Sequence, residues 1–174
     1  MFKKSKYQLL FPIGLLLSFI LEGSIMHIFS YQLAGKFPMV PYLVVLWLVY
    51  TVLFTHQDDN LHIYWWSFGI GALYDSYYIG VIGIFMFIFP LVVYITRLIL
   101  KYVDENIVSS TMIYLIDIII VLVLGYAGGR MGHLVYFSGI HFMAFAFGPT
   151  LLLNLIIFLV LYYPVNLLFD HYRQ

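Results

Sequence analysis

Three carboxylates, Glu22, Asp75 and Asp117, stand inside long apolar stretches of this 174-residue chain, and theirs is the chemistry that most needs a reason. An ionised Asp at the centre of a membrane helix costs about 2.5 to 3.5 kcal/mol on insertion scales, so each group must face a protein interior, be protonated or find a donor. Intramembrane acids are functional candidates by default. They can orient helices through buried hydrogen bonds, line a polar path for a solute or proton, or act as acid and base in catalysis. The sequence gives the last role little support. His27, His56, His62, His133, His141 and His171 are dispersed, with no H-E-x-x-H and no His and carboxylate at one helical spacing. "HQDDNLH", residues 56–62, gathers two histidines and two aspartates, a conceivable divalent-metal site, but this composition is ordinary turn chemistry before a helix. No serine sits in a G-x-S-x-G context. With no nucleophile and base at a recognisable spacing, the chain is expected not to be an enzyme and to carry no cofactor or metal.

The elements that hold these acids follow from composition. The chain is 64% hydrophobic, 20% aromatic and only 9% charged, far below the roughly 25% charged content of soluble domains. It reads as an all-α polytopic membrane protein. Eight basic residues balance eight acidic ones and form no stripe interleaved with aromatics, which excludes nucleic-acid binding. There is no cysteine, so disulfides, thiolate metal sites and a cysteine nucleophile are excluded. The opening "KKSK" and apolar run resemble a signal peptide, but Glu22 interrupts the run and no small-x-small site follows, so a retained first helix is expected.

A spanning helix needs about 20 mostly apolar residues. Six blocks approach that length, 8–30, 38–56, 62–79, 82–101, 107–127 and 148–168, and the chain is expected to form a single integral membrane domain. Too little chain remains for a soluble catalytic domain, and no G-x-x-x-x-G-K-[ST] loop is present, so any ATP-driven step must belong to a partner. Placing the N-terminus inside puts Lys3, Lys4, Lys6, Arg97, Lys101 and Arg173 on the cytoplasmic side and leaves only Lys36 and Arg130 outside. Both termini are thus expected in the cytoplasm. Between Arg130 and Asp170 no Asp, Glu, Lys or Arg occurs; "MGHLVYFSGIHFMAFAFGP" reads as an interfacial or re-entrant piece, with Pro149 starting the sixth helix. Asp104 and Asn106 read as caps of the fifth.

Around Asp75, the small residues Gly69, Ala72, Ser76, Gly80 and Gly83 recur at helical spacing, with Gly71 four residues before the acid. Such a stripe allows close backbone approach, a main source of helix association in lipid. Gly80 and Gly83 also suit a turn into the fourth helix. Asp75 and Arg130 fall in the same half of the bilayer and are candidates for an ion pair. "GYAGGRMGH" carries G-x-x-x-G spacings at Gly125–Gly129 and Gly128–Gly132, which suit either packing or a helix exit. Asn154, within "PTLLLNLII", suits an interhelical hydrogen bond worth about 0.6 to 2 kcal/mol.

The stretches "GIGALYDSYYIGVIG" and "PTLLLNLIIFLVLYYPV", with six short-looped helices, resemble the MreD family, the small membrane subunit of the bacterial rod-shape system. The resemblance covers nearly the whole chain, and its most specific part is Gly71, Asp75, Gly80 and Gly83. It implies a non-enzymatic role with MreC, with MreB filaments directly or indirectly, and with a RodA-type glycosyltransferase and class B penicillin-binding protein in peptidoglycan synthesis. It further implies a fold similar to the substrate-binding subunits of energy-coupling-factor transporters. Glu22 and Asp117 match no motif of the family. Two functions therefore compete: a membrane scaffold whose small-residue face holds partner helices, and a vitamin-type transport subunit in which Glu22, Asp75 and Asp117 line a cavity.

Overall fold

The computed structural model describes residues 7–55, 61–104 and 106–173. Most of the "HQDDNLH" turn and the N-terminal lysines lie outside the described residues. Within them the regular elements are helical: α1 Tyr7–Ile28, α2 Ser30–Leu33, α3 Leu43–Phe54, α4 Ile63–Tyr74, α5 Phe85–Leu100, α6 Ile107–Met131, α7 Gly139–His141 and α8 Gly148–Arg173. π-helical turns extend α4 over Asp75–Ile79 and join α7 to α8 over Phe142–Phe147.

Helix α3 is the axis of the bundle. Every residue from Val44 to Phe54 is buried, as a helix that is hydrophobic all round requires. It packs on α1, α5, α6 and α8. The Trp47 indole N–H donates to the Phe11 carbonyl at 3.0 Å, and Gly14 leaves the space in α1 that the Trp47 ring fills. On the other side Tyr50 donates to the Phe158 carbonyl. The Phe158 ring stacks on Tyr50 at 4.9 Å and on Tyr114 at 4.5 Å, joining α3, α6 and α8.

Where helices start departs from the sequence reading for local reasons. Helix α3 begins at Leu43, not near 38, because Pro38 and Pro41 lack an N–H and disfavour helical backbone in the residue before them. Helix α6 continues to Met131. Its N-terminus is capped by Asn106, whose side chain accepts from the Ser109 N–H at 2.9 Å. Residues 139–147, expected as a separate interfacial piece, instead run helically into α8, leaving Pro149 in that helix's first turn. Three segments are long and apolar enough to cross a membrane, Leu9–Ile28, Ile107–Met131 and Gly139–His171; α3 and α5 are apolar but shorter.

Candidate functional site

Asp75 ends α4 and opens its π-helical turn, which closes through a 2.7 Å bond from the Gly80 N–H to the Asp75 carbonyl. Gly80 (φ +80°) and Gly83 (φ +117°) then reverse the chain in a backbone region that glycine occupies without strain. Both therefore serve the turn and not a continuous helix face. The reversal brings the start of α5 onto the Asp75 carboxylate. Oδ1 accepts from the Phe85 N–H at 2.8 Å, and Oδ2 from the Gly83 and Met86 N–H groups at 2.8 and 3.1 Å. The first N–H groups of a helix have no partner within it, and Ile84, at the N-cap of α5, offers no side-chain acceptor. A fully buried carboxylate from the preceding helix fills that role, with its charge at the positive end of the helix dipole.

Gly71 is what makes the approach possible. A Cβ there would lie 2.5 Å from the Phe85 carbonyl oxygen and 2.7 Å from the Met86 Cα. Helix α6 packs on the same reversal, since a Cβ at Gly128 would stand 2.8 Å from the Ile84 side chain, and on its own exit segment, since one at Gly129 would stand 2.8 Å from Val135. These glycines are packing positions inside α6, and the helix exit falls at Gly132.

Glu22 repeats the device on α3. Its Oε2 accepts from the Val44 N–H at 3.1 Å, in the first turn of that helix, and its Oε1 from the Tyr74 hydroxyl at 2.6 Å. Asn154 holds the chain that leads into α3: its amide donates to the Val40 carbonyl at 2.7 Å while its oxygen accepts from the Tyr42 N–H at 2.9 Å. Thr150, one turn earlier on α8, donates to the Pro38 carbonyl at 3.3 Å. Buried backbone polar groups need partners inside the protein, and Asn154 and Thr150 supply them for the Pro38 and Val40 carbonyls and the Tyr42 N–H. Tyr74, Tyr42 and Thr150 escaped the sequence reading. An aromatic hydroxyl beside the only acid of its helix was the available signal for Tyr74.

A family model described as rod shape-determining protein MreD matches residues 3–172. The chain belongs to the MreD family. No curated protein and no solved structure matches it. The MreD family is a membrane family of shape determination and not a known enzyme family.

In this MreD chain, the small residues around Asp75 divide between two faces. Gly71 and Asp75 are buried against α5, whereas Gly69 and Ser76 are exposed and Ala72 is half-buried. A Cβ at Gly69 would meet nothing within 4 Å. Ser76 donates to the Ala72 carbonyl at 2.7 Å. Arg130 stands exposed in the last turn of α6, and no ion pair joins it to Asp75 among the described residues.

Asp117 is apart from the other two acids. It lies in α6 facing α5, where Oδ2 accepts from the Thr96 hydroxyl at 2.7 Å and Oδ1 is buried without a hydrogen-bond partner. Among the described residues the three carboxylates share no hydrogen-bond partner. Both Asp75 oxygens and one Glu22 oxygen accept from N–H groups at helix starts, and the second Glu22 oxygen accepts from Tyr74. No group of three or more His, Asp or Glu able to hold a metal occurs among the described residues.

Proposed function

We propose that this MreD-family chain is a non-enzymatic scaffold and regulator of the rod-shape machinery, in which the Asp75 clamp holds α4 rigid so that its outward strip can seat a partner's membrane helix. The observation that carries the proposal is the division of α4: Gly71 and Asp75 lock inward on α5 while Gly69, Ala72 and Ser76 leave a smooth strip outside. Small residues let a second backbone come close, and in lipid that packing is a main source of association. The partner is MreC, with a RodA-type glycosyltransferase and class B penicillin-binding protein in the same assembly, MreB reached directly or through them, and cell shape and peptidoglycan synthesis as the outcome.

All six apolar stretches cross the bacterial cytoplasmic membrane in this reading, with both termini in the cytoplasm. The sequence excess of Lys and Arg in the segments assigned to the cytoplasm supports that orientation. The short α3 fits because its 12 residues supply about 18 Å, and the satisfied non-helical residues before it supply much of the remainder of the roughly 30 Å hydrocarbon layer.

Gly69→Leu tests the proposal. The substitution enters open space and leaves the Asp75 clamp intact, so the variant is expected to fold with unchanged thermal stability, to lose co-purification with MreC, and to fail to restore rod shape to cells lacking the wild-type chain. Full association and normal shape with Gly69→Leu and Ala72→Leu would remove α4 as the partner face.

A further inference from the structure

Where α8 passes the segment that Asn154 holds, a groove of about 420 Å³ opens on the outer surface of the bundle, lined by Phe37, Met39, Gly148, Pro149, Leu152 and Ile156. Its walls are wholly apolar. Leu152 and Ile156 follow one another by one helical turn and are both exposed. Gly148 opens the groove: it is itself exposed, and a Cβ there would meet nothing within 4 Å. Phe37 forms the opposite wall, braced by Phe145 with ring centroids 5.9 Å apart. At its edge stands a charge. The Lys36 ammonium lies 5.6 Å above the Phe37 ring centroid on an exposed side chain, and no carboxylate pairs with it among the described residues.

An apolar trough on a membrane helix, ending at a single cation, is complementary to a molecule with a long hydrocarbon tail and one negative charge at its polar end. An ammonium beside an aromatic face at the rim is a combination suited to a lipid phosphate. A zwitterionic headgroup would satisfy the trough equally but would bring its own cation to Lys36. We infer that this groove binds an anionic phospholipid, with one acyl chain along Leu152 and Ile156 past Gly148 and the phosphodiester on the Lys36 ammonium. The occupied site would tie the non-helical approach to α3 to the composition of the surrounding bilayer, because Phe37 and Met39 belong to the same segment that Thr150 and Asn154 hold.

Native mass spectrometry of the full-length chain released from mixed micelles tests this, using phosphatidylglycerol and phosphatidylcholine with matched acyl chains. The wild type is expected to retain phosphatidylglycerol about fivefold better, the worth of one lysine near an anionic headgroup. Lys36→Gln abolishes that preference and Lys36→Glu reverses it. Gly148→Phe fills the trough and lowers retention of both lipids. Since Lys36 is exposed, its variants report on the site even if Gly148→Phe fails to fold. Equal retention of the two lipids by the wild type, or a preference that persists in Lys36→Gln, overturns the inference. So does a photo-crosslinker at position 152 that captures a protein helix in native membranes and no lipid.

Discussion

Tyr74 and Asp75, consecutive in the chain, each serve the start of a different helix. Tyr74 donates to Glu22, whose second oxygen takes the Val44 N–H at the start of α3; Asp75 takes the Phe85 and Met86 N–H groups at the start of α5. One turn of α4 therefore fixes where two other helices begin. Glu22, Tyr74 and Asp75 are buried, so the helix starts are satisfied by side chains of the protein itself.

Asp75→Asn is expected to lower stability by about 1.5 to 3 kcal/mol, since the bonds it weakens are charge-assisted and one carboxylate oxygen becomes an NH2 group facing backbone donors. Which amide rotamer is adopted matters little. Either leaves a donor opposite a donor. Unfolding in mixed micelles measures the loss, and hydrogen exchange should quicken at Phe85 and Met86 first.

Asp117→Asn should behave in the opposite way, with stability unchanged or raised. The Thr96 bond survives through the Asn oxygen, and removing a buried ionisable group offsets the cost of an amide NH2 where Oδ1 has no partner. Thermal unfolding of the two Asp→Asn variants side by side checks the contrast. A loss at Asp117 as large as that at Asp75 would overturn this balance.

Gly71→Ala brings a methyl group against backbone, where no side-chain rotation relieves it, and forces α4 and α5 apart. A cost of about 1 to 3 kcal/mol or more is expected from such overpacking. Separation of the helices also stretches the Asp75 bonds, so the Gly71→Ala and Asp75→Asn losses should add to less than their sum, with a coupling of about 0.5 to 3 kcal/mol in a double-mutant cycle. Additive losses would mean that the close approach and the clamp are independent.

How far these features can be read from the sequence depends on what kind of group each residue meets. Glu22, Asp75, Asp117 and Asn154 stand out because polar atoms in apolar stretches are rare, and the glycines near Asp75 stand out by their spacing. Their partners do not. Val44, Phe85 and Met86 contribute backbone N–H groups, which every residue but proline carries, so no residue type marks them. Arg130 offers an opposite charge in the sequence, yet the dipole at the start of α5 supplies what a cation would have supplied. The π-helical turn at Asp75–Ile79 likewise has no pattern of its own, although it delivers the chain to the reversal at Gly80–Gly83. The late start of α3 was legible in principle, because Pro38 and Pro41 occupy the stretch that fails to become helix.

Asn154→Leu separates a polar residue that merely decorates a helix from one that carries backbone. Leucine is similar in size, favours helix more strongly and prefers lipid, so on an unencumbered face the change would stabilise. Here it leaves the Tyr42 N–H and the Val40 carbonyl without the amide that now bonds both. It also removes the acceptor 3.4 Å from the Tyr114 hydroxyl. At about 1 to 3 kcal/mol for each abandoned buried group, a net loss of about 2 to 5 kcal/mol is expected. Asn154→Asp should not rescue it, because the oxygen that replaces the amide nitrogen would face the Val40 carbonyl. The loss should be local before it is global: exchange at the Tyr42 amide rises in Asn154→Leu while Phe85 and Met86 keep their protection, the reverse of the Asp75→Asn pattern. Protection lost at both helix starts in either variant would instead mean that the segment before α3 and the Asp75 clamp open as one unit, joined through Glu22 and Tyr74.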